Sequence, residues 1–189
     1  TDVTVRTGGT WTGDITAEET TLTGQTGSSG SADVKIAGTW TGSSTASTDT
    51  TLTDPAIVNV SLTESTGLWN VTKDSSVTAL DIGSGKVSFT RDAGTFAGKT
   101  LTVAGNYTGN GGTIAMNTVL ADDNAATDKL VVKGNTAGTT TLTFTNVGGA
   151  GAQTVDGIRV VEVGGTSDGV FTKPADNILK AGAYVYHLE

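Results

Sequence analysis

The stretch closest to a chemical motif is Ala93-Gly94-Thr95-Phe96-Ala97-Gly98-Lys99-Thr100. Four residues separate Ala93 from Gly98-Lys99-Thr100, the spacing of a phosphate-binding loop whose backbone N–H groups and following helix N-terminus cradle phosphates. Ala replaces the first Gly, however, and "LTVAGNYTG" follows, which reads as a strand and not a helix; nucleotide binding is not expected. Asp122, Asp123, Asn124 and Asp128 in "DDNAATD" are oxygen ligands of the kind Ca²⁺ accepts, but no Gly stands at the sixth place and no Glu at the twelfth. A polar turn whose side chains bond their own backbone is the expected reading. Asn59, Asn70 and Asn106 open N-x-[ST] triplets, which arise by chance in a Thr-rich chain. Cleavage of acidic sugars would need a basic group or a metal beside carboxylates. Arg6, Arg91 and Arg159 lie far apart, the single His187 sits in the terminal strand, and the paired acids Glu18–Glu19 and Asp122–Asp123 fall in apparent turns. No catalytic residue, metal ligand or cofactor is therefore expected, and the chain reads as a non-enzyme.

The elements that would have to position these groups are strands. Hydrophobic residues make up 35% and charged residues 16% of the 189, with 27 Gly, too little apolar mass for a helical core. Thr, Val and Ile suit a half-buried pleated surface, and Gly supplies the turns between strands. Period-two alternation recurs at Val3/Val5, Val34/Ile36, Val58/Val60/Leu62, Val87/Phe89 and Leu101/Val103. A net charge of −8 and a pI near 4.5 argue against nucleic-acid binding, which rests on cations neutralising phosphates, and against an anionic membrane face. No apolar run approaches the ~18 residues of a spanning helix, so no direct membrane insertion is expected. The opening "TDVTVRTGG" has no basic start or apolar core; any export signal lies upstream or is absent.

Two of the three tryptophans sit in identical pentapeptides, "GTWTG" at 9–13 and again at 38–42, and the third in "GLWNV". Trp11, Trp40 and Trp69 are spaced 29 residues apart both times, and Leu22, Leu52 and Leu80 follow them by 11, 12 and 11. A period of 20–50 residues signals a solenoid in which each unit buries its apolar face only against its neighbour. With strands alone the unit is one coil of a parallel β-helix. Trp11, Trp40 and Trp69 are then expected to stack as an aromatic ladder, with Tyr107 as a fourth step at a longer offset. Each ring contributes about 1.5–3 kcal/mol of burial and a well-placed stacked pair about 0.5–1.5 more.

Beyond residue 115 the pattern changes. "KLVVKG", "TTTLTFTNVGG", "GIRVVEVGG" and "AYVYHL" read as antiparallel pairs, and the phase reversal between Ile158/Val160 and Val161/Val163 suggests a bulge or burial on both faces. A solenoid end exposes unpaired backbone unless it is covered. The expected organisation is an all-β chain with parallel β-helix coils over 1–115 and an antiparallel cap over 116–189.

From "LWNVTKDSSVTALDIGSGKVSFT" through "KTLTVAGNYTGNGGTIAMNTVLADDNAATDKLVVKGNTAGTTTLTFTNVGG" to "GIRVVEVGGTSDGVFT" and "AGAYVYHL", residues 67–188 resemble the C-terminal passenger region, called the autochaperone or junction region, of pertactin-like bacterial autotransporters. The resemblance implies a right-handed parallel β-helix closed by an antiparallel cap, in line with the rule for parallel crossovers. It implies a monomeric stem, exposed on the bacterial surface or secreted across the outer membrane, whose partners are upstream passenger coils and a downstream outer-membrane β-barrel. It also implies that this segment folds first and templates later coils, since a stable terminal unit of a solenoid is a nucleus for propagation. The absence of cysteine fits a chain that must thread a barrel without a disulfide-closed loop. The residues expected to make the nucleus are Trp69, Leu80, Val87, Phe89, Leu101, Val103 and Tyr107 in the last coils, and Leu130, Val132, Leu142, Phe144, Ile158, Val160, Tyr184 and Tyr186 in the cap. Two other readings stay open: an adhesive or self-associating module that takes a host-surface ligand on Thr/Asn-rich coil faces, and, more distantly, a β-helix polysaccharide-cleaving enzyme.

Overall fold

In the computed structural model, which describes residues 2–17, 19–20, 28–47, 55–62 and 64–189, every element is a strand. Strands stack in parallel as a β-solenoid with three faces. The first face stacks Asp2–Thr7, Ser31–Ile36, Ile57–Ser61, Ala79–Asp81, Tyr107–Thr108 and Thr136–Ala137. The second stacks Thr10–Thr12, Thr39–Gly42, Leu68–Val71, Lys86–Phe89, Thr113–Thr118, Thr139–Asn146 and Val170–Thr172. The third stacks Ser75–Val77, Thr100–Val103, Lys129–Val132 and Val161–Val163, and the pair Ile15–Thr16/Ser44–Thr45 lies on its upstream side.

Registers convert the two-residue alternation into inward ladders, because residues in parallel register put equivalent side chains on the same face. Trp11, Trp40, Trp69, Val87, Ile114 and Leu142 are successive Cα partners on the second face. Val34, Val60, Leu80, Tyr107 and Thr136 follow one another on the first, and Leu101, Leu130 and Val161 on the third. The expected tryptophan ladder is present, with ring centroids 5.5 Å apart for Trp11–Trp40 and 4.5 Å for Trp40–Trp69 and ring planes nearly parallel, at 21° and 8°.

Tyr107 is not its fourth step. It belongs to the first-face ladder, below Leu80, and its ring stacks on Phe171 at 5.9 Å; the next residue under Trp69 is Val87. The step from Trp69 to Val87 is a coil of only 18 residues, which the 29-residue period hides. Leu80 pairs with Val60, whereas Leu22 and Leu52 lie outside the described residues. Val3 and Val5 stand in the first strand.

Antiparallel pairing, expected throughout the region beyond residue 115, is confined there to the hairpin Leu179–Ala181/Tyr184–Tyr186 and the bridge Thr118–Thr127. Lys129–Val132 pairs in parallel with both neighbours, and Thr139–Asn146 does the same. Period-two alternation is identical in parallel and antiparallel strands, so the letters carried no information on direction. The polar run at 122–128 is a corner insertion between the second and third faces, as 90–99 is one coil earlier and 147–160 one coil later.

Candidate functional site

The C-terminal end of the solenoid is where the fold departs from simple stacking. Beyond Asn146 the chain keeps pairing with the coil above, Val147 donating to Thr118 and Gly151 to Leu120, both at 2.9 Å. It then runs as a strap over 147–160. A Cβ on Gly149 would collide with the backbone of Leu120 and one on Gly151, at φ +84°, with the Ala181 carbonyl, so the strap is held between coil and hairpin at a distance only glycine permits.

Three side chains fasten this cover, and a fourth, Asp128, ties the corners of the coils upstream of it. Asn177 pairs with the backbone of Phe144 in place of a strand, accepting its N–H at 2.8 Å and donating to its carbonyl at 3.0 Å. The Tyr186 hydroxyl accepts from Ala152 N–H at 2.9 Å and stands 2.8 Å from the Ala121 carbonyl and 2.9 Å from that of Ala152. Asp123 takes the amides of Val155, Asp156 and Gly157 at 2.7–3.0 Å. Those bonds, the Val155 amide first, lower its pKa because they favour the charged carboxylate. Asp128, fully buried, accepts from the Lys99 amide at 2.8 Å and from the amide and side chain of Asn117 at 2.7 and 2.9 Å. Burial raises its pKa against the pull of these donors.

The same geometry disposes of the sequence decoys. Lys99, the would-be phosphate lysine, is buried and donates to the Thr90 carbonyl at 2.6 Å and to Asp92 at 2.9 Å. Gly98 turns the chain at φ +80° against the Thr127 carbonyl. Asp122 accepts the Asn124 amide, the self-bonded turn that "DDNAATD" suggests.

Under the cover lies a groove of about 870 Å³, lined by Leu142, Phe144, Val161, Phe171 and Leu179 and by the strap and the last residues of the chain. Arg159 and His187, remote in sequence, both line it.

Of the residues expected to form the nucleus, Trp69, Leu80, Val87, Phe89, Leu101, Val103, Tyr107, Leu130, Val132, Leu142 and Phe144 are buried in one continuous core. Val160 and Tyr186 pack half-buried against that core and Ile158 lines the groove, while Tyr184 is corrected to a surface residue, 43% exposed. The two tyrosines, two apart in one strand, share a face of the hairpin; the Tyr186 hydroxyl reaches the strap backbone, whereas Tyr184 lies beside Gly151 at the groove's edge and stays open to solvent. The phase reversal near 160 corresponds to the half-buried Val160 and Val161, which stand in a last coil that no further coil covers.

Sequence reasoning missed Asp123, Asn177 and Tyr186's hydroxyl as fasteners of the cover and Asp128 as a tie between coils. It also missed a second repeat. "VAGNYTG" at 103–109, "VKGNTAG" at 132–138 and "VGGTSDG" at 163–169 stack as successive corners, with the Asn106 side chain accepting the Asn135 amide and Asn135 accepting that of Thr166. Their spacings of 29 and 31 residues were available in the letters.

Residues 75–188 match the family model described as Autochaperone Domain Type 1. The chain is 49% identical over 94 residues to the adhesin BmaC autotransporter of Brucella suis, covering 47% of this chain and 3% of that protein. It is 49% identical over 94 residues to the autotransporter adhesin AIDA-I of Escherichia coli, covering 49% of this chain and 7% of that one. The probable autotransporter YfaL of E. coli K12 is 36% identical over 143 residues, 73% of this chain and 11% of its own length.

Proposed function

The chain belongs to the type 1 autochaperone family of autotransporter passengers, and from that membership we propose that residues 67–188 are the unit that folds first and on which upstream coils assemble. The passenger is surface-displayed or secreted, exported across the outer membrane. The observation that carries the proposal is the cover at the C-terminal end, which is closed by its own strap, hairpin and Asn177. A solenoid grows by adding neighbours to an uncovered edge, so growth proceeds upstream from the covered end. The role needs no catalysis. Its partners are the upstream passenger coils and, downstream, the outer-membrane barrel.

The test is display of the parent protein with and without residues 67–188, scored by protease resistance of the remaining passenger. The expected result is a deletion variant that reaches the surface, is digested, and regains resistance when this domain is supplied in trans. A truncated passenger that resists protease normally overturns the proposal.

A second reading, adhesion, draws on two relatives named as adhesins and on the exposed apolar residues Val155, Ile178 and Val185 of the cover. Saturable binding of the isolated domain to host cells would support it. The chain spans between 3% and 19% of the curated relatives it matches, which leaves most of each passenger to carry such binding.

A further inference from the structure

Each buried tryptophan of the ladder makes one hydrogen bond across coils, always to the same place. Trp40 Nε1 donates to the Gly13 carbonyl at 2.8 Å, and Trp69 Nε1 to the Gly42 carbonyl at 3.1 Å. Gly13 and Gly42 stand two residues beyond the ladder tryptophan of the coil directly upstream. Each ring therefore reads two features of the coil above: a flat face at the ladder position and a carbonyl two residues later.

The acceptor is glycine only where a tryptophan follows. In the third coil the corresponding residue is Val71, and the coil below it carries Val87, which has no N–H to donate. Gly42 leaves no room for a side chain: a Cβ there would collide with the Gly13 carbonyl oxygen and stand 2.8 Å from Trp40 Nε1. A carbonyl turned toward an indole needs a backbone that a side chain would obstruct, and glycine supplies it.

Trp11 carries the donor and lacks the acceptor. It is half-buried, its ring is stacked on one face only, and its indole N–H has no partner among the described residues. We propose that Trp11 is a register-reading site for the passenger coil immediately upstream, which places a flat side chain on the free face of the ring and a glycine carbonyl, two residues further on, on Nε1. The occupant follows from continuity: the interface that joins the first coil to the second, and the second to the third, is repeated at Trp11 with one partner missing. A one-residue slip of a strand turns every side chain to the wrong face. In a Thr-rich strand with little else to distinguish neighbouring registers, a ring and a carbonyl that must coincide mark a single alignment. The inference rests on upstream coils stacking on this end and not on the order in which they fold.

The test is proton exchange of the indole N–H groups, read by NMR with ¹⁵N-tryptophan in the 189-residue chain and in a passenger that includes the coils upstream; the Trp11 signal is assigned by its loss in Trp11→Phe. In the 189-residue chain Trp40 and Trp69 should exchange slowly and Trp11 at least tenfold faster. In the longer passenger Trp11 should slow to match them. If Trp11 exchanges equally fast in both, or if the upstream coil carries a bulky residue where the glycine is required, the inference is overturned. Exchange is an equilibrium readout, so it stands or falls separately from the folding order tested by deletion.

Discussion

The side chain of Asn177 stands in for a β-strand at Phe144, accepting that residue's N–H at 2.8 Å and donating to its carbonyl at 3.0 Å. One amide thereby satisfies both backbone groups of a core residue just past Val170–Thr172, the last strand of the second face. Leaving a buried donor or acceptor unsatisfied costs about 1–3 kcal/mol. Asn177→Ala is expected to destabilise the domain by roughly that amount in urea unfolding. Asn177→Asp keeps only the acceptor and should lose part of it. Equal stability of all three proteins would show the cover to be dispensable.

Trp40 lies between two rings and carries the 2.8 Å bond to Gly13. Trp40→Ala removes a fully buried aromatic, a change that costs about 3–5 kcal/mol. Trp40→Phe retains a stacked ring and loses the N–H, so the expected loss is smaller, about 1–3 kcal/mol from the unsatisfied Gly13 carbonyl and the trimmed volume. Denaturant midpoints in the order wild type, Phe, Ala check this; Phe and Ala falling together would mean that the stack contributes little.

The ladder was legible because tryptophan is rare here and recurs in a repeated pentapeptide. What followed was not, for a physical reason: the coil from Trp69 to Val87 drops its insertion and changes the ladder residue at the same step, so neither spacing nor residue type persists. Strand direction was invisible beyond residue 115 because Lys129–Val132 alternates identically in either sense. The fasteners, Asp123 and Asn177 in the cover and Asp128 between coils, are single polar residues whose partners lie 11 to 34 residues away. A turn-forming letter looks the same whether it bonds its own backbone, as Asp122 does, or a distant one, as Asp123 does.

Stability should depend on acid in two opposed ways. Asp14 accepts the Ser43 amide at 2.8 Å and pairs with Lys73 at 3.0 Å, and these hold its pKa down to about 2. Its contribution is present above the unfolded value of 3.8 and is lost as pH falls toward 2. Asp128 is the reverse. Burial raises its pKa above 3.8, so between the unfolded and folded values the native state binds more protons, and its contribution is greatest in acid and declines as pH rises through the folded pKa. Urea titrations across pH 2–7 should show the stability of wild type relative to Asp128→Asn falling as pH rises, and relative to Asp14→Asn rising over the lower part of that range. A flat difference in either series rejects the corresponding assignment.

Folding order can be separated from stability by rates. Leu130 and Leu62 are both fully buried, and truncation to Ala should cost each site about 2–5 kcal/mol. Leu130 sits between Leu101 and Val161 in the third-face ladder, within residues 75–188 matched by the autochaperone model, whereas Leu62 belongs to the coils upstream. A loss at a site already formed in the transition state slows folding, and a loss at a site formed later speeds unfolding. For about 3 kcal/mol, at 1.4 kcal/mol per tenfold, Leu130→Ala should slow refolding by roughly a hundredfold with little change in the unfolding rate. Leu62→Ala should leave refolding nearly unchanged and accelerate unfolding by a similar factor. If Leu62→Ala slows refolding as much as Leu130→Ala does, the upstream coils belong to the nucleus, and assembly does not proceed from the covered end.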